Sequence, residues 1–454
     1  MRRTRKAALV TLLAVTLSAG CADADDLAAG TPQQTLPPGG VAAAEEAARR
    51  AADGQQIGGT LNLLGLLSGT NLEQYLGVLA PLEKATGIDI KYETAGDLIA
   101  VLRTRVDGGN PPDVVSNPSA GQVRDLAAQG KLVALDPFLD MPAVQKDFPA
   151  GLRDLTTVDG KQYGLFVNTA LQGLVWYDPK NYDGPEPPAS WTDLESWAAG
   201  KAGAGTTPWC LGLESGPASG WPGAVWIEQF MLQQHGGDLY DRWWQGQVPW
   251  TSPEVRDAFT RFGAVATDPK LVSGGVKSAL TTNFGESPKG LLADPPACLL
   301  HLQADWVGNA MSAAVPGTKV VDDIDFFPFP TVNPSTAGSL EITGEVLGAF
   351  RDTPQVRAFL RYVSTPAFSS LVAATGLWLG ANTRTPVEEY PSPLSKQAAQ
   401  AYAAAKDVRF GAKDAMPAAM SQAFLKSVMD YVREPARLDA ILGGLERTRQ
   451  SSYR

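Results

Sequence analysis

At 454 residues the chain is long enough for two domains of ordinary size and a tail. Apolar residues make up 44% and charged residues 19%, a globular composition that excludes a disordered or fibrous protein. The formal net charge is −10, and without Arg2, Arg3, Arg5 and Lys6 at the start the remainder carries about −14. Such an acidic surface repels phosphates, which argues against nucleic acid and against broad contact with anionic lipid.

The first segment reads as an export address over residues 1–20. Four basic residues precede an apolar run from Ala7 to Leu17, and the small residues Ser18, Ala19 and Gly20 stand before Cys21. The run is shorter than the roughly 20 residues that span a bilayer, so it fits a cleaved signal peptide. The Ser-Ala-Gly-Cys ending resembles the bacterial lipobox, although Leu17 lies one place further from the Cys than the usual pattern has it. That resemblance implies lipid on Cys21 and an extracytoplasmic protein anchored to the cell membrane. The other reading is an ordinary signal peptide with an incidental Cys. Residues 21–56 are then the lipidated Cys and a flexible tether, rich in Ala, Gly, Pro, Gln and Asp, with only a transient helix over 42–53.

The globular part opens with the apolar run Leu61–Leu67, a buried strand that turns at Ser68-Gly69-Thr70. Residues 71–86 have helical spacing, with Asn71 as N-cap and Gly87 as stop. A strand at 88–92, a helix at 97–106 capped by Asp97, a strand at 112–116 and a helix at 120–129 follow. This βαβαβα order predicts a parallel α/β sheet covered on both faces, with ligands gathering at the carboxyl ends of the strands. Residues 160–178 give two extended stretches that cross between domains. Ser190 caps a helix at 191–199, and Cys210–Glu214 is the first strand of a second α/β unit. Helices are expected at 224–235, at 253–266 and within 300–314, with strands at 323–327 and 341–350. Helices dominate from 354 onward.

Of the three Cys, lipidation of Cys21 would leave Cys210 and Cys298. Outside the cytoplasm two such thiols are expected to pair, the alternative being two separate buried thiols. Closing so long a loop adds about 4–5 kcal/mol in the chain-entropy model. With only His235 and His301, and no Cys-x-x-Cys spacing, neither a metal nor a cofactor is expected. All eleven Trp lie between Trp176 and Trp378, and the first α/β unit has none. Aromatic faces pack on the C–H faces of sugars, so a Trp-rich unit opposite a Trp-free one suggests a stacking lobe. The competing reading for each Trp is core. Trp221, flanked by Gly220 and Pro222, reads as a loop residue.

At Asp113-Val114-Val115, at Tyr163-Gly164-Leu165-Phe166-Val167-Asn168 and at Trp176-Tyr177-Asp178 the chain resembles a family 1 extracellular solute-binding protein, the maltose-binding-like proteins of carbohydrate ABC transporters. Two further stretches are similar to the α-glucoside-binding members. One is Pro208–Gly216 followed by Gly220-Trp221-Pro222-Gly223. The other is Asp294-Pro295-Pro296-Ala297-Cys298, with His301, Gln303 and Phe326–Pro330. The resemblance covers roughly residues 57–440. It implies an α/β, two-lobe periplasmic-binding-protein fold of type II, with a ligand cleft between the lobes that closes on binding. Lobe 1 would take residues 57–168 and about 340–454, C-terminal helices included. Lobe 2, the Trp-rich one, would take 169–339. It implies a carbohydrate ligand, the permease subunits of an ABC importer as partners and a monomer. Trp221, Trp306 and Trp378 are expected to stack on ligand. Glu73, Asn117, Glu214, Gln303 and Asn382 are expected to bond its hydroxyls, with Trp226 also near the cleft. The competing reading for each polar residue is a cap, a turn or an ion pair.

The rival functions are weaker on the residues. A glycosidase needs two carboxylates about 5–9 Å apart across the scissile bond, but no motif marks such a pair. The Gly-x-Ser-x-Gly elbow of Ser-His chemistry is absent. A binding protein for a polyamine, a phosphodiester or a peptide keeps the fold and changes the ligand. Phosphodiesters call for Arg or Lys at the strand ends, which show no basic cluster. A surface adhesin accounts for the anchor but not for two α/β lobes.

Overall fold

The computed structural model describes residues 36–308, 311 and 323–453. The expected signal peptide and Cys21 lie outside the described residues. A first helix, α1 (Pro38–Ala51), precedes β1 (Thr60–Gly65), α2 (Gly69–Thr86), β2 (Asp89–Thr94), α3 (Leu98–Asp107), β3 (Val114–Asn117) and α4 (Ala120–Ala128). The expected βαβαβα order is present, and β1 pairs in parallel with both β2 and β3. Every residue of β3 is buried, as a strand covered on both faces requires. Asp97 accepts from Ala100 N–H and caps α3. Gly87 ends α2 in the left-handed region, at φ 70°. Asn71 is not the N-cap of α2, because the helix begins two residues earlier, after Ser68.

The chain then runs through β4 (Gly164–Phe166), β5 (Asn168–Gln172) and β6 (Leu174–Tyr177), three short strands in three different sheets. The second unit holds α5 (Trp191–Gly203), β7 (Trp209–Cys210), α6 (Trp221–His235), α7 (Gly237–Trp244), α8 (Pro253–Ala266), β8 (Leu300–Gln303) and β9 (Asp325–Pro328). Residues 300–303, expected within a helix, are a strand between β6 and β7; Leu-His-Leu-Gln alternates with the period of a strand, and all four residues are buried. The return passes through β10 (Ser339–Thr343) and β11 (Val346–Ala349) to α9 (Pro354–Val363), α10 (Pro366–Ala374), β12 (Leu379–Gly380), α11 (Pro393–Ala404), β13 (Asp407–Phe410), α12 (Ala412–Ala415), α13 (Ala418–Arg433) and α14 (Leu438–Ser452).

Three sheets of four or five strands result among the described residues, beside a two-stranded pairing of Thr157–Val158 with Lys161–Gln162. The first lobe has the order β2-β1-β3-β11-β4, and the second β9-β6-β8-β7. Between them a crossing sheet, β12-β5-β10-β13, takes one strand from each passage of the chain between the lobes. The passages are tight. A Cβ at Gly344 would stand 2.3 Å from the Asn168 carbonyl oxygen, and one at Gly121 would stand 1.8 Å from that of Met416, so both positions require glycine. The disulfide Cys210–Cys298 is present, with Cα atoms 5.4 Å apart, and ties β7 to the segment entering β8.

Two expectations change here. The C-terminal helices α13 and α14 belong with lobe 2, not lobe 1. Phe424, Val428, Tyr431, Leu442 and Leu445 share a core with Trp226, Trp243, Trp250 and Phe259. An amphipathic stripe declares that a helix packs, not on which lobe. Residues 38–51, expected within the flexible tether, form the packed helix α1 instead. Its buried Ala44, Ala47, Ala48 and Ala51 follow helical spacing and meet α2, α9 and α10. Alanine gives up no side-chain entropy on burial and has the highest helix propensity, so this helix needs no large apolar residue. Lys84 of α2 bonds Glu45 at 2.6 Å on its outer side.

A chain beginning at residue 57 is therefore expected to unfold more easily than one beginning at residue 36. Four buried methyl groups at about 0.8 kcal/mol each set an upper figure of about 3 kcal/mol. Urea unfolding of the two chains checks this; equal midpoints would mean that α1 contributes nothing.

Candidate ligand-binding site

Both lobes end their central strands at the crossing sheet, so the loops beyond those ends stand on either side of one gap. On the lobe 2 side, Trp221 is the first residue of α6 rather than a loop residue, and it is half-buried. The turn before it needs Gly220, at φ 99°, where a Cβ would lie 2.2 Å from the Leu425 carbonyl oxygen. The ring of Trp221 stands 5.3 Å from Phe284 and 6.3 Å from Trp306, and Phe284 stands 6.2 Å from Trp306. Three partly exposed rings thus gather from the start of α6 and from two turns. Beside them Glu214 accepts from Asn283 Nδ2 at 2.8 Å and from the Gly216 N–H at 2.7 Å. These bonds fix the carboxylate while its residue stays partly open to solvent.

Gln303, at the end of β8, is 2% exposed. Its Oε1 accepts from the Ala304 N–H, and its Nε2 has no partner. The neighbouring Asp305 accepts from the Leu171 N–H through Oδ2 at 3.2 Å, while its Oδ1 is shut from solvent and unbonded. Burial raises its pKa to about 7, against three backbone N–H groups that favour the charge.

On the lobe 1 side, half-buried Trp378 stands edge-on to Tyr75 at 6.3 Å, and Tyr75 stands edge-on to Tyr92 at 6.2 Å. The Tyr75 hydroxyl is buried without a partner, and the Leu67 N–H donates to the Tyr92 oxygen at 3.0 Å. Glu345 joins this group from the connection between β10 and β11. Its Oε2 accepts from Ser116 Oγ at 3.0 Å; burial raises the pKa of both tyrosines, and the Glu345 charge adds to the rise. Burial lifts Glu345 itself to about 7, with Asp414 adding to the rise and the Ser116 bond opposing it. Near neutrality Asp305 and Glu345 can each donate or accept a hydrogen bond.

The structure brings Trp221 and Trp306 together, with Glu214 and Gln303 on the same lobe, and sets Trp378 on the other. Four expected residues fall elsewhere. Trp226 is 1% exposed, packed among Trp191, Trp209, Phe230, Phe262 and Phe329; it is core, as the fully apolar turn around it requires. Asn117 is occupied by a turn: Nδ2 donates to Gln122 Oε1 and Oδ1 accepts from the Ser119 N–H. Glu73 is exposed on the first turns of α2, one residue before the buried Gln74 and Tyr75. Asn382 is buried and lines a different cavity. Tyr75 and Tyr92 went unread because helical and strand spacing place them among core positions, Phe284 and Asp305 because they lie in turns that no motif marks, and Glu345 because it lies in the connection between two strands. The one available signal was the polar Thr343-Gly344-Glu345 break between two apolar strands.

Among the described residues no group of three or more His, Cys, Asp and Glu is placed to hold a metal ion. His301 is buried, its Nδ1 3.0 Å from the Cys210 carbonyl oxygen, and burial depresses its pKa to about 4. None of the described helices is long and apolar enough to cross a membrane.

Residues 69–368 match the family model described as bacterial extracellular solute-binding protein. The osmoprotective compounds-binding protein GgtB of Synechocystis sp. is 32% identical over 375 residues, covering 82% of this chain and 88% of the relative. The alpha-glucosides-binding periplasmic protein AglE of Rhizobium meliloti is 32% identical over 406 residues, covering 85% and 86%. Among solved structures, the bacterial solute receptor AcbH superimposes with a TM-score of 0.74 at 18% identity, over 87% of this chain and all of that one. Maltose-bound T. maritima MalE3 gives 0.68 at 14%, over 87% and 99%. The fold is thus the two-lobe, maltose-binding-like one, its members hold solutes rather than turn them over, and the chain belongs to the bacterial extracellular solute-binding proteins.

Proposed function

We propose that the protein is anchored outside the cell by lipid on Cys21, captures a carbohydrate between its lobes and delivers it to an ABC importer. The ligand is an α-glucoside or another oligosaccharide. The observation that carries this reading is a pair of aromatic groups, the partly exposed Trp221, Phe284 and Trp306 on one lobe and the partly exposed Tyr92 and Trp378, packed on the buried Tyr75, on the other. Ring faces on both sides suit a ligand with C–H faces on both sides. Glu214, Gln303, Asp305 and Glu345 supply acceptors and donors for its hydroxyls, and charged acceptors bond more strongly than neutral ones. Glu73 contributes at most from the rim, while Asn117 holds its turn. The name of AglE, a protein of α-glucosides, agrees with this reading. That of GgtB, a protein of osmoprotective compounds, favours a second one in which a small osmolyte is the ligand.

Thermal unfolding separates these readings. A ligand at 100 times its Kd adds about 2.7 kcal/mol, a rise of several degrees. Maltose, trehalose or a longer α-glucoside is expected to raise Tm, and glycine betaine, spermidine and glycerophosphodiesters are not. A rise with betaine alone would discard the carbohydrate. Trp306→Ala is expected to weaken the effective sugar on the order of 10-fold or more by calorimetry, for the loss of about 1.4 kcal/mol or more of stacking and burial.

The buried acids set a pH dependence. Glu345 titrates near 7 in the folded chain, above its unfolded value of about 4.3. The folded state therefore holds the extra proton between those values. The contribution is full below about pH 4 and is lost as pH rises to about 7. Ligand-free protein is expected to lose stability over this window, and Glu345→Gln to flatten part of the slope in urea unfolding at pH 5 and pH 8. An unchanged slope would mean that Glu345 is charged throughout.

A further inference from the structure

We infer that the protein has a second binding site, on the hinge, for a neutral polyhydroxylated molecule of about disaccharide size. A cavity of about 660 Å³ opens among Pro149, Leu152, Asp154, Leu155, Asn382, Thr383, Tyr390 and Tyr402 of lobe 1, Ile342 and Val408–Phe410 of the crossing sheet, and Asp241, Trp244 and Gln245 of lobe 2. None of Glu214, Trp221, Trp306 or Trp378 lines it. The volume lies within the range of small-molecule sites.

Its lining is built for recognition. Asn382 is 1% exposed, and its Oδ1 is used by the Arg384 N–H, but its Nδ2 has no partner. A buried amide N–H₂ without an acceptor is costly, and an oxygen of an occupant would satisfy it. Trp244, Tyr390, Tyr402 and Phe410 supply ring surface, and the Thr383 hydroxyl, which donates to the Asp147 carbonyl oxygen, keeps its acceptor sites. The half-buried charges of the wall are already paired, while Asp154 lies exposed. Arg409 pairs with Asp241 at 2.8 Å and also with Asp407, and Trp244 Nε1 donates to Asp241 at 3.1 Å. A charged ligand would have to displace those partners, so a neutral one is favoured. Because both lobes and the strands between them form the walls, the shape of the cavity follows the hinge angle.

Calorimetry on the purified globular chain with maltose, trehalose and sucrose as probes tests the site. Two variants isolate it. Trp221→Ala with Trp306→Ala disables the proposed cleft, and Gln245→Trp, on an exposed residue of the rim, covers the cavity without touching the core. Asn382→Leu removes the free amide, with circular dichroism to confirm folding. The cleft variant is expected to retain a binding event with at least one probe, with a Kd of order millimolar. Gln245→Trp added to it should abolish that event, and Asn382→Leu should weaken it at least several-fold. No event in the cleft variant with any probe, or an event that Gln245→Trp leaves intact, overturns the second site, whatever the wild-type cleft binds. Failure of the cleft reading alone would appear as loss of the cleft-dependent event in wild type with the second event unchanged.

Discussion

A single buried ammonium group holds the two lobes at their junction. Lys413, 4% exposed, lies 2.7 Å from Asp414 and 3.8 Å from Glu228, and Glu341 acts on it from the crossing strand β10. Glu228 comes from α6 of lobe 2, and Gln229 beside it donates to Glu341 at 3.1 Å. Burial alone would strip the proton from the lysine, but the three carboxyls outweigh it and its pKa is raised. Burial also lifts Glu228 to about 7 and raises Glu341, because one cation cannot neutralise three anions in so dry a place. Removing the lysine would leave uncompensated buried acids, the costly way to break such a cluster.

The rest of the design follows from this junction. Asp414 accepts from Thr343 of β10, its carbonyl oxygen accepts from Ser119, and its charge reaches Glu345. The polar network thus runs from the helix that carries Trp221, through the crossing sheet, to the strand ends of lobe 1. A hinge built of three short strands and one ion cluster permits rigid lobes to rotate about it, and a ligand that bonds both lobes favours the closed arrangement by its differential contacts.

Much of this was legible in the sequence where a local rule governs. The order of strands and helices in lobe 1, the caps at Asp97 and Ser190, the stop at Gly87 and the pairing of Cys210 with Cys298 all rest on short-range patterns or on counting. Trp221 stood out because a ring flanked by Gly and Pro has no evident core to fill, whereas Trp306 and Trp378 were expected only through the family resemblance. What stayed hidden depends on contacts distant in the chain. Glu345 and Ser116 lie 229 residues apart in sequence, and Lys413 and Glu228 lie 185 apart. Trp226 and Asn382 misled for the converse reason: each sits next to a loop in the sequence, yet the fold turns one into core and the other into a separate cavity. In α1 the absence of large side chains suggested disorder, where small ones allowed close packing.

The claim on which the account rests is that a sugar draws the two lobes together. Small-angle X-ray scattering of the globular chain, with and without a saturating α-glucoside identified by calorimetry, tests it most directly. The account predicts a smaller radius of gyration with the sugar, and no such change in a Trp221→Ala, Trp306→Ala double variant. Sugar that binds tightly while the radius of gyration stays constant would contradict closure, and the absence of binding by any sugar would contradict the carbohydrate ligand itself.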